Sequence, residues 1–173
     1  MLFRSHIEEW PRDALPLSLA LGAFGLYAFS GRADHDAARV ALCERMAPHY
    51  GDDWWMETYR GWSFTEAGDL EAGEKHTRRA LELRNANAHG AHAMGHWFVE
   101  AGRKRDGADF IAGWLPAYSR EGTLYSHLNW HCALGFLEAG ERERALQANA
   151  EHLRPSATAA PPINKVCDST ALM

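Results

Sequence analysis

The sequence predicts an all-α chain, a stack of about eight helices arranged as four antiparallel pairs. Three observations predict it. Apolar residues recur at the three- and four-residue spacing of one helix face, and no stretch alternates as a half-buried strand would. Turn glycines stand at Gly31, Gly68, Gly102 and Gly140, at intervals of 37, 34 and 38 residues. Each is followed by a polar or charged residue (Arg32, Asp69, Arg103, Glu141), as expected where a helix ends on glycine and the chain turns back into an antiparallel partner.

The elements follow in order. Pro11, Arg12 and Asp13 open the first helix, since proline is tolerated in the first turn, and its apolar run extends to about Ser30. A second helix begins near Asp34 and halts between Pro48 and Asp53, and a third runs from Trp54 to Ala67. The fourth, Leu70 to Leu83, is amphipathic. Leu70, Gly73, Thr77, Ala80 and Leu81 face inward and Glu74, Lys75, Arg78 and Arg79 outward. The segments AHGAHAMGHWFVEAG and LYSHLNWHCALGFLEAG give helices five and seven, helix six spans Arg103 to Tyr118, and helix eight spans Glu141 to Leu153. A period near 34 residues built from helix pairs is the tetratricopeptide (TPR) signature. The unit around Gly68 fits it best through Gly61, Phe64, Ala80 and Leu81, and a generic helical bundle is the alternative. Residues 1–153 therefore read as one TPR-like repeat domain. RPSATAAPPINK reads as a proline-rich linker, and VCDSTALM as the start of a helix that is truncated or packs on a partner.

Composition narrows the function classes. The chain has 173 residues, 46% of them hydrophobic, with seven tryptophans, which suits a substantial core. Its net charge of −5 comes from interspersed acids and bases without a basic run, so neither nucleic acid nor an anionic membrane is an expected partner. The stretch Ala14 to Ser30 carries no charge but is short for a membrane span and contains Pro16, so it reads as a buried helix. Cys43, Cys132 and Cys167 are odd in number and lack a CxxC spacing, which suits reduced thiols in a cytoplasm. Cys132 beside His131 reads as a structural thiol, because adjacent helix residues point about 100° apart. No P-loop, GxGxxG, GxSxG or HExxH motif is present.

WPRDAL at Trp10 to Leu15, HGAHAMGHWFVEAGR, HLNWHCALGFLEAGE and the late CDSTALM together resemble the tetratricopeptide repeat protein 38 family. The resemblance covers nearly the whole chain, and the two histidine segments are its specific part. It implies a superhelical stack of helix pairs and names no reaction. Family members are usually longer at both ends, so the chain resembles a central portion or a short variant.

The first helix of each TPR pair lines the concave surface. Counting back from the turn glycines places Trp55, Thr58, Trp62 and Glu66 on that surface, then His89, His92, His96 and Glu100, then His127, Trp130 and Glu138. His131 falls one residue from the strict concave register, toward the repeat interface. His127 follows His92 by 35 residues and His131 follows His96 by 35, so neighbouring parallel helices bring two i,i+4 pairs together. Four imidazoles (His92, His96, His127, His131) suit Zn²⁺, Ni²⁺, Cu²⁺ or Fe²⁺. Packed histidines that donate to carbonyls and stack on Trp97 or Trp130 are the competing reading.

Glu57, Glu66, Glu100 and Glu138 are candidate acid/base partners. The expected function is a non-enzymatic module that binds a protein segment or small ligand along this groove without a cofactor. The alternative is a metal-dependent or histidine-based enzyme with its site between the two histidine helices. Open faces at both ends of a repeat array further predict a twofold dimer.

Overall fold

The computed structural model describes residues 2–23, 25–154 and 156–171, with side chains from residue 5 onward. Phe24 of the expected first helix, Pro155 of the expected linker, and Leu172 and Met173 of the last segment lie outside the described residues. The described residues hold ten α-helices and no strand: α1 (Leu2–Glu9), α2 (Ala14–Leu21), α3 (His35–Tyr50), α4 (Trp54–Glu66), α5 (Leu70–Leu83), α6 (Ala88–Glu100), α7 (Lys104–Trp114), α8 (Tyr125–Glu138), α9 (Arg142–Ala148) and α10 (Pro162–Thr170). They fall into two compact units, Met1–Asn85 and Ala86–Met173, each described by itself below.

The helix ends follow from side-chain caps and glycine. Asp53 accepts hydrogen bonds from the Trp55 and Met56 amides at the start of α4, Asp69 from Ala72 at α5, and Asn87 from Gly90 at α6. Helices α4, α6 and α8 end in the same geometry. Gly68, Gly102 and Gly140 have φ of 86°, 70° and 79°, in the left-handed region where a side chain is strained. The next amide donates back to the carbonyl of Phe64, Phe98 or Phe136 at 2.9, 2.8 and 2.8 Å, closing the Schellman arrangement. The repeated sequence F-x-E-A-G thus writes the same cap three times.

In the first unit, α4 and α5 form a tight antiparallel pair. A Cβ at Gly61 would fall 2.7 Å from the Thr77 backbone nitrogen, and one at Gly73 would fall 3.1 Å from that of Thr65, so each glycine admits the other helix's backbone. Ile7, Leu17, Leu21, Leu42, Cys43, Met46 and Met56 form the core of this unit, bordered by Tyr50, Trp55 and Tyr59. In the second unit, α7 packs against α6 and α8, and α9 against α8. Ile111, Leu115, Tyr125, Leu128, Cys132 and Phe136 make its core.

The beginning and end of the chain differ from the sequence expectation. The residues before Pro11 form α1, and the expected long first helix stops at Leu21, with a turn from Gly22 onward. Glycines at 22 and 25 account for the break, since each costs a helix about 1 kcal/mol relative to alanine. Helix α7 ends four residues before Tyr118 and continues as a 3₁₀ turn, Leu115–Ala117. The last turns of α9 open into a π-helical segment, Asn149–Leu153. Helix α10 begins at Pro162, inside the expected linker, and packs on α8 of the same chain. No described helix is long and apolar enough to cross a membrane.

Candidate functional site

The second unit gathers four imidazoles from two helices. His92 and His96 lie one turn apart on α6, and His127 and His131 one turn apart on α8. Ring centroids are 4.6 Å apart for His92 and His96, 4.8 Å for His127 and His131, 4.8 Å for His92 and His127, and 4.9 Å for His96 and His131. His131, one residue off the groove register, therefore joins the cluster. Small residues bring both helices close to α7: a Cβ at Gly135 would meet the Lys104 carbonyl at 2.8 Å and Ala108 Cβ at 2.7 Å, and one at Gly95 would meet the end of the Ile111 side chain at 2.8 Å.

The protons in this cluster can be assigned from its partners. His127 Nδ1 lies 2.9 Å from Oδ1 of Asp168, a buried residue on α10, and Ser126 Oγ donates to the other carboxylate oxygen at 3.3 Å. A carboxylate only accepts, which places a proton on His127 Nδ1 and leaves Nε2 with a lone pair when the ring is neutral. His92 Nε2 stands 3.0 Å from that Nε2, so His92 donates to His127. Burial, reinforced by the neighbouring imidazoles, holds the His92 pKa well below the ordinary histidine value. Burial does the same for His131, with His96 and His127 adding to it. Both rings are neutral near pH 7, the form that binds metal. Among the described residues, buried His131 Nε2 has no hydrogen-bond partner.

Ring nitrogens of His92, His96 and His131 lie within 4.8 Å of one another, an arrangement that could hold a metal ion. Trp130 walls the cluster, stacked on His127 at 5.3 Å and 14° and edge-on to His131 at 4.9 Å. His89 and Glu100 are exposed on α6, and exposed Glu138 pairs with Lys104. Cys132 is buried and its Sγ donates to the Ala108 carbonyl. Burial pushes that thiol up to about 12, so the inert structural reading holds for it.

Trp55, Trp62 and Glu66 belong to the first unit. Trp55 sits between Tyr50 and Tyr59, and Trp62 is 7% exposed with the Arg39 guanidinium over its ring. Glu57 is buried, accepts from Arg60 at 2.9 Å and pairs with His76 Nδ1 at 2.6 Å. Burial opposes the Glu57 carboxylate, but the hydrogen bonds from His76 and Arg60 outweigh it and set its pKa below the ordinary range. Phe64 stacks on His76 at 5.6 Å, packing the imidazole against the Glu57 carboxylate.

Neither Asp168 nor His76 was singled out by the motif reading. Asp168 carried a signal, since it lies in the CDSTALM segment, but its contact with His127 spans 41 residues of sequence.

No family profile matches the chain. Among solved structures, that of MamA (MSR-1 C2), a TPR-containing protein, is similar over 85% of this chain and 88% of that one, with a TM-score of 0.55. The fold is TPR-like. At 17% identity this likeness concerns the fold of the TPR-like chain and carries no residue roles.

Proposed function

We propose that the chain is a non-enzymatic TPR-like module that takes a protein segment or small ligand on the histidine and tryptophan face shared by α6 and α8. The observation that carries this reading is the unpartnered Nε2 of His131, buried in a cluster of four imidazoles beside Trp130. A buried nitrogen without a partner costs stability, and an external group that supplies one recovers it. The TPR-like fold supports the module reading, as do the segments that resemble the tetratricopeptide repeat protein 38 family, and membership in that family is part of the proposal. The free thiols favour a reducing, cytoplasmic setting. A homodimer fits the apolar side chains exposed on α2.

A thermal-shift screen of peptides and small molecules against the wild type and a His96→Ala/Trp130→Ala variant tests the reading. A ligand at 100 times its Kd stabilises by about 2.7 kcal/mol, and that shift is expected for the wild type alone. Ligands that shift both proteins equally would place recognition elsewhere.

A second reading, an enzyme with its site between the same helices, is favoured by the Asp168–His127–His92 chain. A carboxylate that orients an imidazole is an arrangement shared by general bases and metal ligands. Turnover of ester, amide or phosphate substrates that disappears in His127→Ala would support it over the module.

A further inference from the structure

We infer that the four-histidine cluster is a binding site for a divalent late transition-metal ion, with His92, His96 and His131 as ligands and His127, oriented by Asp168, as the fourth. This inference rests on the α6–α8 face as the binding face and names its small ligand. All four donors are imidazole, the ligand type suited to Zn²⁺, Cu²⁺, Ni²⁺ and Co²⁺ and unsuited to Mg²⁺ or Ca²⁺.

The geometry is close to that of a coordination sphere. A tetrahedral ion with bonds of about 2.1 Å holds its nitrogens about 3.4 Å apart. His92 Nε2 and His127 Nε2 are 3.0 Å apart, and the nitrogens of His92, His96 and His131 lie within 4.8 Å. Drawing the wider pairs together takes about 1 Å of ring movement, within the reach of small side-chain rotations. Binding exchanges the His92–His127 hydrogen bond for two bonds to one ion. His92 then carries its proton on Nδ1, with no net gain or loss.

Asp168 acts as a positioning residue. Its carboxylate holds the His127 Nδ1 proton at 2.9 Å and so keeps the Nε2 lone pair turned toward His92. This carboxylate–histidine support is the arrangement that metal-ligating histidines commonly show. Ser126 fixes the second carboxylate oxygen. Because the four imidazoles are neutral ligands, the buried Asp168 carboxylate is the one negative charge this network sets against the dication.

The test uses the full chain without an affinity tag, stripped with chelator and titrated with ZnCl₂ against a chromophoric competitor, and separately with CoCl₂. One equivalent of Zn²⁺ should bind with a Kd below about 1 μM. Co²⁺ should give the intense visible bands of a tetrahedral nitrogen site. His131→Ala should weaken Zn²⁺ at least 100-fold. Asp168→Asn should weaken it 10- to 100-fold and shift the Co²⁺ bands while the metal-free circular dichroism stays unchanged, a pattern that a purely structural role would not give. His49→Ala, at an exposed histidine of the other unit, should bind as the wild type does.

Should His131→Ala fail to fold, His96→Ala carries the same expectation. Absence of saturable Zn²⁺ binding, or equal binding by wild type and His96→Ala, would overturn the metal site. A peptide or small molecule that still discriminates the His96→Ala/Trp130→Ala variant in that event would leave the module reading standing.

Discussion

Gly61→Ala should destabilise the protein, against the ordinary preference of helices for alanine. Helix propensity alone favours alanine over glycine by about 1 kcal/mol. In α4, however, the new methyl would meet the Thr77 backbone nitrogen at 2.7 Å and Cα at 3.0 Å, besides the Thr77 hydroxyl. The hydroxyl can rotate away but the backbone cannot. Restoring a contact of about 3.5 Å moves α5 outward by about 0.8 Å, a gap that forfeits a quarter to a half of each dispersion contact across the pair.

Overpacking of this kind costs about 1–3 kcal/mol. With rigid backbone as the obstacle the upper end applies, for a net loss of about 2 kcal/mol after the propensity gain. Urea unfolding followed by circular dichroism should show a lower midpoint at unchanged slope. The melting temperature should fall by about 4–8 °C for a chain of this size. Gly113→Ala, in α7 with no atom near the added methyl, is the matched control and should gain about 0.5–1 kcal/mol. A midpoint for Gly61→Ala equal to or above wild type would refute the close α4–α5 approach.

Further expectations concern the caps, the buried ion pair and assembly. Gly102→Ala should cost about 1 kcal/mol from backbone strain alone, because its φ is 70° and no atom stands near the new methyl, and Gly102→Asn should cost less; chemical denaturation measures both. Glu57→Gln should cost about 2 kcal/mol at pH 7, since it weakens the bonds to Arg60 and His76. The folded Glu57 pKa is depressed, so its contribution is present at neutral pH and lost as pH falls through the folded value. Thermal melts at stepped pH should therefore show the wild-type advantage shrinking below about pH 4, and an advantage that grows on acidification would contradict the assignment. Leu15→Glu/Leu19→Glu, at α2 positions 73% and 60% exposed, should convert a dimer to a monomer in light scattering; a wild type that is monomeric at high concentration would remove the basis for this expectation.

Local chemistry made much of the fold legible. The F-x-E-A-G repeats announce the three caps, and the Gly68 turn followed by the Asp69 cap starts α5 at Leu70, the residue expected. The meeting of His92 with His127 was readable from the 35-residue spacing that separates His92 from His127 and His96 from His131. The interruption after Leu21 was harder to read, because apolar content alone does not distinguish one long helix from a short helix and a glycine-broken turn. His76 sits on a helix face where the pattern suggested charged and small residues, and its burial is decided by Glu57, 19 residues earlier. The contact of Asp168 with His127 was hidden for the same reason on a larger scale, although its segment carried a signal. Its role exists only after α10 folds back on α8, a contact that no local periodicity encodes.

That return of α10 bears on how portable the histidine face is. A repeat protein invites grafting, since a helix pair can be lifted out and set between other pairs. The stretch from α6 to α8 would carry all four imidazoles to a new host. It would leave behind the carboxylate that decides which nitrogen of His127 faces inward, and the graft would keep the ligand count while losing control of the tautomer. A transplant meant to work must bring residues 162–170 with it, or supply an acid from the host at the same point in space.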